Sequence, residues 1–169
     1  MRVSQAPVLV VKNQPEDRYW TVLLAVDTSP VAAEAAHTAS ALTPHADHVV
    51  VHVSIVLGEA LMRLHGASDQ QLAQLRQVST DRVRDAIEKL AAELTPPAAR
   101  VVIEPGCPQI DLPELTGRYS ADLIAVGTRG RSPLGYALLG SVALHVLHDR
   151  QVWMLAAHND IRHLTDHPR

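Results

Sequence analysis

The chain has 169 residues, enough for one domain with a sizeable core, and 47% of them are hydrophobic, which suits a folded globular protein. A net charge of −3 gives no electrostatic reason to expect nucleic acid or an anionic membrane as partner, and no apolar run approaches the ~20 residues of a membrane span. The apolar stretch after Pro7 is too short for the core of a signal peptide and the single Cys107 cannot form an internal disulfide, so the expected compartment is the cytoplasm.

Residues 6–12 form a β-branched run that predicts a short strand, and the polar, proline-bearing stretch 13–17 predicts a loop. A second apolar run over 20–26 predicts a buried strand. It ends at Asp27-Thr28-Ser29-Pro30, a helix start with Thr or Ser as cap and Pro at the first helical position. An Ala-rich helix over 31–43 follows and Pro44 stops it. Residues 48–55 predict the next strand, while 56–67 show no clear period and are expected as loop. Ser68 and Asp69 open a long helix that runs to Leu94. Its Leu72, Leu75, Val83, Ala86, Ile87, Leu90 and Leu94 form one apolar stripe. A strand is expected over 100–104, a turn over 105–108, and a helix over 109–119 in which Pro113 must sit in the first turn or cause a kink. Residues 122–126 predict a strand, 140–148 a helix and 151–156 a last strand. The stretch 158–169 is a polar tail.

Two Trp, three Tyr and no Phe leave Val, Leu, Ile and Ala to build the core. That suits a parallel sheet under Ala-rich helices and argues against stacking nucleobases on aromatic rings. From Trp20 onward strands and helices alternate, which predicts an α/β fold with a mostly parallel sheet and helices on both faces. In such sheets ligands bind beyond the carboxyl ends of the strands. Asp27 and Gly127 both fall at such ends.

Between the strand over 122–126 and the next helix lies a glycine-rich loop with the spacing Gly127-x2-Gly130-x9-Gly140-Ser141. Gly127 and Gly130 would let the backbone approach a phosphate closely. Ser141 offers a hydroxyl and an N–H at a helix start, and Arg129 and Arg131 offer positive charge. The loop lacks the Gly-Lys-Ser/Thr of a P-loop, and its third glycine is wrongly spaced for the dinucleotide fingerprint. A glycine-bearing turn that merely packs accounts for the spacing equally well. Asp27 is open in the same way, as a helix cap or as a ligand contact. Among ten His, the pairs His45/His48 and His145/His148 are three apart, as metal ligands can be. No Cys pair or His-Glu-x-x-His accompanies them, so structural or solvated roles are expected and no metal site. Cys107, in a turn, shows no adjacent base that would make it a nucleophile.

Together, the strand–Asp27-Thr28-Ser29–helix unit, Val51-His52-Val53 ending a second strand, and Gly127-x2-Gly130-x9-Gly140-Ser141 resemble the universal stress protein family from roughly Trp20 to Ala156. The long glycine motif is similar to that of the members that bind ATP. The resemblance implies a five-stranded, Rossmann-like sheet of the adenine-nucleotide alpha hydrolase-like type, commonly in a homodimer. It places the domain at 19–157, between an N-terminal extension over 1–18 and the tail over 158–169. By motif it implies ATP, alone or with Mg²⁺, as the bound cofactor. Ala25 would then lie in the adenine region, Asp27 by the ribose or adenine, and the Val53 backbone would read the adenine edge. Val126 belongs to the same set. Gly127, Arg129 and Gly130 would line the ribose and phosphates, and Gly140, Ser141 and Val142 would hold the phosphates.

Two departures stand out. The last strand is not preceded by a proline, as family members usually have it, and residues 6–12 look like that missing terminal strand. Either the chain carries the end of a preceding tandem domain, or residues 7–12 add a strand at a dimer edge, or the stretch is a tail without a role. The function implied is a nucleotide-dependent regulatory or stress-response module with an unidentified regulatory protein partner. The alternatives are a dimeric scaffold without nucleotide and a slow ATP hydrolase. No Asp or Glu occurs within 127–141, so fast phosphoryl chemistry is not expected.

Overall fold

The computed structural model describes residues 8–10, 18–127 and 140–148, together with the backbone of 153–157. The alternation of side chains along each strand sets its layers. Strand β1 spans Val8–Val10 and β2 spans Thr21–Ala25; Val22 and Leu24 of β2 point to one face and Leu23 to the other. Helix α1 (Pro30–Leu42) and strand β3 (Asp47–Ser54) follow, with Val50 on the first face and Val49, Val51 and Val53 on the second. Then come α2 (Glu59–Leu64), α3 (Asp69–Glu93), β4 (Arg100–Pro105), α4 (Pro108–Arg118), β5 (Leu123–Gly127), α5 (Ser141–His148) and β6 (Trp153–Ala157). Apolar residues of α1 and α3, including Ala36, Ala39, Ile87 and Ala91, cover the first face. Leu112 and Leu115 of α4 with Ala143 and Val146 of α5 cover the second. Strands buried on both sides read as continuous apolar runs, which is why their sequences lack polar alternation.

The six-stranded sheet has the order β1-β6-β5-β2-β3-β4. Five strands are parallel, as expected, and β1 adds a sixth that runs antiparallel to β6 of the same chain, with Leu9 opposite Leu155. The strand expected over 6–12 is therefore a three-residue edge within the described residues. Short edge strands limit unwanted pairing with other chains.

Three expectations need correcting. Residues 56–67 are not all loop, because α2 forms there. It buries none of its residues, so no apolar period marks it. Its tether is polar: Glu59 accepts from Arg63 at 2.8 Å and also from Arg76 of α3, and these guanidiniums hold its carboxyl down to about 2. Ala86 is exposed rather than in the α3 stripe; Thr80 and Ala91 are buried instead, because the contact line passes beside it. Helix α4 begins at Pro108, inside the expected turn. Pro113 lies past its first turn and the helix continues through it, although Pro113 cannot donate to the Gln109 carbonyl.

The caps follow the sequence closely. Ser29, not Thr28, caps α1 and accepts from the Ala32 N–H at 3.2 Å, with Pro30 next to it. Ser68 and Gln71 form a reciprocal capping box at the start of α3.

Candidate nucleotide site

The chain runs from β2 to β3 and β4 on one side, then returns to place β5 and β6 on the other side of β2. The order thus reverses between β2 and β5, and the connections leave opposite faces there. A crevice must open at the carboxyl ends of these strands. A cavity of about 280 Å³ lies at that point, near the lower end of the ~300–1,000 Å³ typical of small-molecule sites.

Eight of the ten residues singled out from the sequence line it: Ala25, Asp27, Val53, Val126, Gly127, Gly140, Ser141 and Val142. Arg129 and Gly130, with the rest of 128–139, lie outside the described residues. Much of the lining is apolar, including the buried Val51, Val53 and Val126 and, from α4, Leu112. The polar side chains of the described lining are Asp27 and Ser141, joined by the backbone N–H groups at the start of α5. A mostly apolar lining with a few polar groups suits a ligand of the same build.

Asp27 holds its own turn. Its Oδ1 accepts from the Ser29 N–H at 3.0 Å and from the Ser29 hydroxyl, and Ser29 in turn caps α1. Among the described residues Oδ2 takes no hydrogen bond, so one carboxylate oxygen remains available at the cavity. The cap and the ligand contact are therefore compatible roles for one side chain. Thr28, between them, has φ of 65°, a left-handed conformation that is rare for a β-branched residue. Backbone strain of this kind gathers at functional sites.

Gly127 has a different reason to lack a side chain than close approach to phosphate. A Cβ there would lie 3.1 Å from the Ala32 nitrogen and 3.2 Å from its Cα, against the backbone of the first turn of α1. The packing role left open by the spacing is thus present at this glycine. At Gly140 the carbonyl accepts from the Leu144 N–H at 2.8 Å, so Gly140 is where α5 starts. The N–H groups that follow have no intrahelical partner and carry the positive end of the helix dipole.

Several site residues carried no sequence signal. Pro108 and Leu112 line the cavity because α4 crosses over the sheet from β4. His52 reaches across from β3, where Nδ1 donates to the Val26 carbonyl at 2.8 Å; a carbonyl can only accept, so the proton sits on Nδ1. With the Val26 N–H donating to the Val51 carbonyl at 2.9 Å, this extends the β2–β3 pairing up to Asp27. Val51-His52-Val53 thus supplies two cavity residues and one clamp. The paired histidines do not meet at a site: His45, His145 and His148 are exposed and His48 is buried at the other end of β3. Among the described residues no group of three His, Cys, Asp or Glu could hold a metal ion, and no helix is long and apolar enough to cross a membrane.

Comparison with known proteins gives a consistent result. Residues 18–156 match the model of the universal stress protein family. Universal stress protein MJ0531 of Methanocaldococcus jannaschii is 28% identical over 139 residues, covering 82% of this chain and 81% of that protein. The solved structure of hypothetical protein MJ0577 superimposes with a TM-score of 0.72 at 19% identity, over 85% of this chain and 99% of that one. A universal stress protein solved in complex with cAMP matches with a TM-score of 0.50 at 24% identity, over 84% and 98% of the two chains.

Proposed function

This chain belongs to the universal stress protein family, and from that premise we propose that it is an ATP-binding regulatory or stress-response module. The observation that supports the proposal most is the convergence of Asp27, Val53, Gly127, Gly140, Ser141 and Val142, from four separate elements and their ends, on one cavity at the reversal of strand order. The adenine would enter between Val51, Val53 and Val126. Asp27 would take a ribose hydroxyl or the adenine amino group through Oδ2. The phosphates would lie toward Gly140, Ser141 and Val142, where the α5 dipole favours negative charge. The adenine ring and cyclic phosphate seen with one relative are the same chemical class.

Mg²⁺, where it accompanies ATP, would be carried by the phosphates, because Asp27 is the sole carboxylate lining the cavity among the described residues and in this reading it would face the nucleoside. With no second carboxylate there to position water or metal, the site suits holding ATP more than cleaving it. A homodimer, a regulatory protein partner and a cytoplasmic setting belong to the same proposal, as does the division into 1–18, 19–157 and 158–169. The scaffold alternative differs in one measurable respect: it binds no nucleotide.

Calorimetric titration of the purified chain with ATP tests the proposal. We expect a dissociation constant in the micromolar range, order of magnitude only. Gly140→Val should weaken binding sharply by crowding the start of α5. Absence of ATP binding by the wild-type chain would leave the scaffold reading instead.

A further inference from the structure

At the mouth of the cavity the first turns of α4 and α5 meet through side chains. The Gln109 amide nitrogen donates to the Ser141 hydroxyl oxygen at 3.4 Å, across 32 positions of sequence. The Gln109 carbonyl oxygen accepts from the Cys107 thiol at 3.1 Å. The Asp111 carboxylate accepts from the Cys107 backbone N–H at 2.7 Å. Each bond fixes the next. Asp111 holds the turn that presents Cys107, and the thiol takes the oxygen side of the Gln109 amide. That leaves the NH₂ side for Ser141, so the amide orientation follows from the network.

The consequence lies in the Ser141 hydroxyl. It has one proton and two lone pairs. With Gln109 donating to a lone pair, the proton is not spent on Gln109 and stays available to donate. An anionic oxygen requires a donor. Among the described residues of the cavity lining, the groups able to donate to an anion are backbone N–H groups and this hydroxyl. Pro108 lines the cavity, and Gln109, the next residue, reaches the lining through its bond to Ser141.

We infer that Gln109 is a positioning residue for the phosphate end of the site, setting Ser141 to donate to an anionic oxygen and adding an amide dipole of the right sign. The inference rests on the nucleotide reading above. A Gln109 that only ties α4 to α5 would affect every ligand alike.

Titrations of the full chain with adenosine and with ATP separate the two roles, using wild type, Gln109→Ala and Gln109→Glu. Gln109→Ala should weaken ATP by about three- to tenfold, the worth of one neutral hydrogen bond, and leave adenosine unchanged. Gln109→Glu turns the rim negative and would accept the Ser141 proton, so it should weaken ATP further than alanine does. Where adenosine binds too weakly to measure, thermal melts of the ligand-free proteins take its place: the order wild type, alanine, glutamate for ATP affinity with unchanged melting supports the inference, and melting lowered in step with ATP affinity overturns it. Equal ATP affinity in all three proteins, or equal losses for adenosine and ATP, overturns it while the nucleotide reading stands. A wild-type chain that binds neither ligand overturns the nucleotide reading itself, and the inference with it.

Discussion

Two aspartates stand at opposite ends of neighbouring strands, and their hydrogen bonds differ in reach. Asp122, just before β5, accepts from the backbone N–H groups of Trp20 and Thr21 at 2.7 and 2.9 Å, across 102 and 101 positions. Its own N–H donates to the Thr21 carbonyl at 2.9 Å. It sews β5 to β2 at their amino ends. Asp27, beyond the carboxyl end of β2, bonds among the described residues only to Ser29, two residues away. The amino end of the sheet thus spends its carboxylate on long-range closure. The carboxyl end spends one oxygen on a local turn and keeps the other at a cavity. A residue type alone does not reveal such a difference; the span of its bonds does.

Three substitutions would break or sharpen that contrast. Asp122→Ala should have the largest effect, about 2 kcal/mol of stability, because two backbone donors lose a charged acceptor. Denaturant unfolding would measure it, and ligand affinity of the folded protein should not change. Gly127→Ala comes next and cuts across the contrast, since it lies at the cavity yet its cost should be structural. The added Cβ meets the Ala32 backbone, which cannot swing aside as a side chain can, and overpacking of this kind costs roughly 1–3 kcal/mol. A thermal melt of Gly127→Ala indistinguishable from wild type would show that α1 yields easily there.

The smallest effect concerns His48 at the amino end, and it is one of pH. Thr43 spends its hydroxyl proton on the Ala39 carbonyl at 2.7 Å, so at 2.9 Å it must accept from His48 Nε2. Nδ1 is then a bare lone pair, buried with no hydrogen-bond partner among the described residues. Protonation would place an unpartnered N–H there. Burial accordingly pushes the imidazole below its usual value of 6.5, with Asp47 and the Thr43 bond opposing. A folded value below the unfolded one means that the unfolded chain binds the proton first. The stability contributed is complete above pH 6.5 and is lost as pH falls from there through the lowered folded value. His48→Leu should flatten this part of the pH–stability curve while leaving stability at pH 8 close to wild type. An unchanged slope between pH 7 and 5 would refute the assignment.

Much of this could be read in the sequence because it depends on neighbours in the chain. Ser29-Pro30 and Ser68 with Gln71 cap helices through contacts within a few residues. Runs such as 123–126 are apolar throughout because both faces are covered. Helix α2 was not legible, since a helix that buries nothing leaves no apolar period, and its tether to Arg76 spans 17 positions. The placing of Ala86 failed for a related reason: a stripe gives a helix face only to within a residue or so.

By itself, the sequence determined the alternation of strands and helices, the starts of α1 and α3, and which residues carry the glycine motif. These follow from local sterics, backbone hydrogen bonding and the burial of apolar side chains. The tertiary structure alone decided that the order reverses at β2 and β5, that β1 closes the β6 edge, and that Gly127 is small for the sake of α1. It also decided that Gln109 lies against Ser141. Each of these depends on segments that pack in space but stand far apart in the chain, and no local pattern records such a meeting.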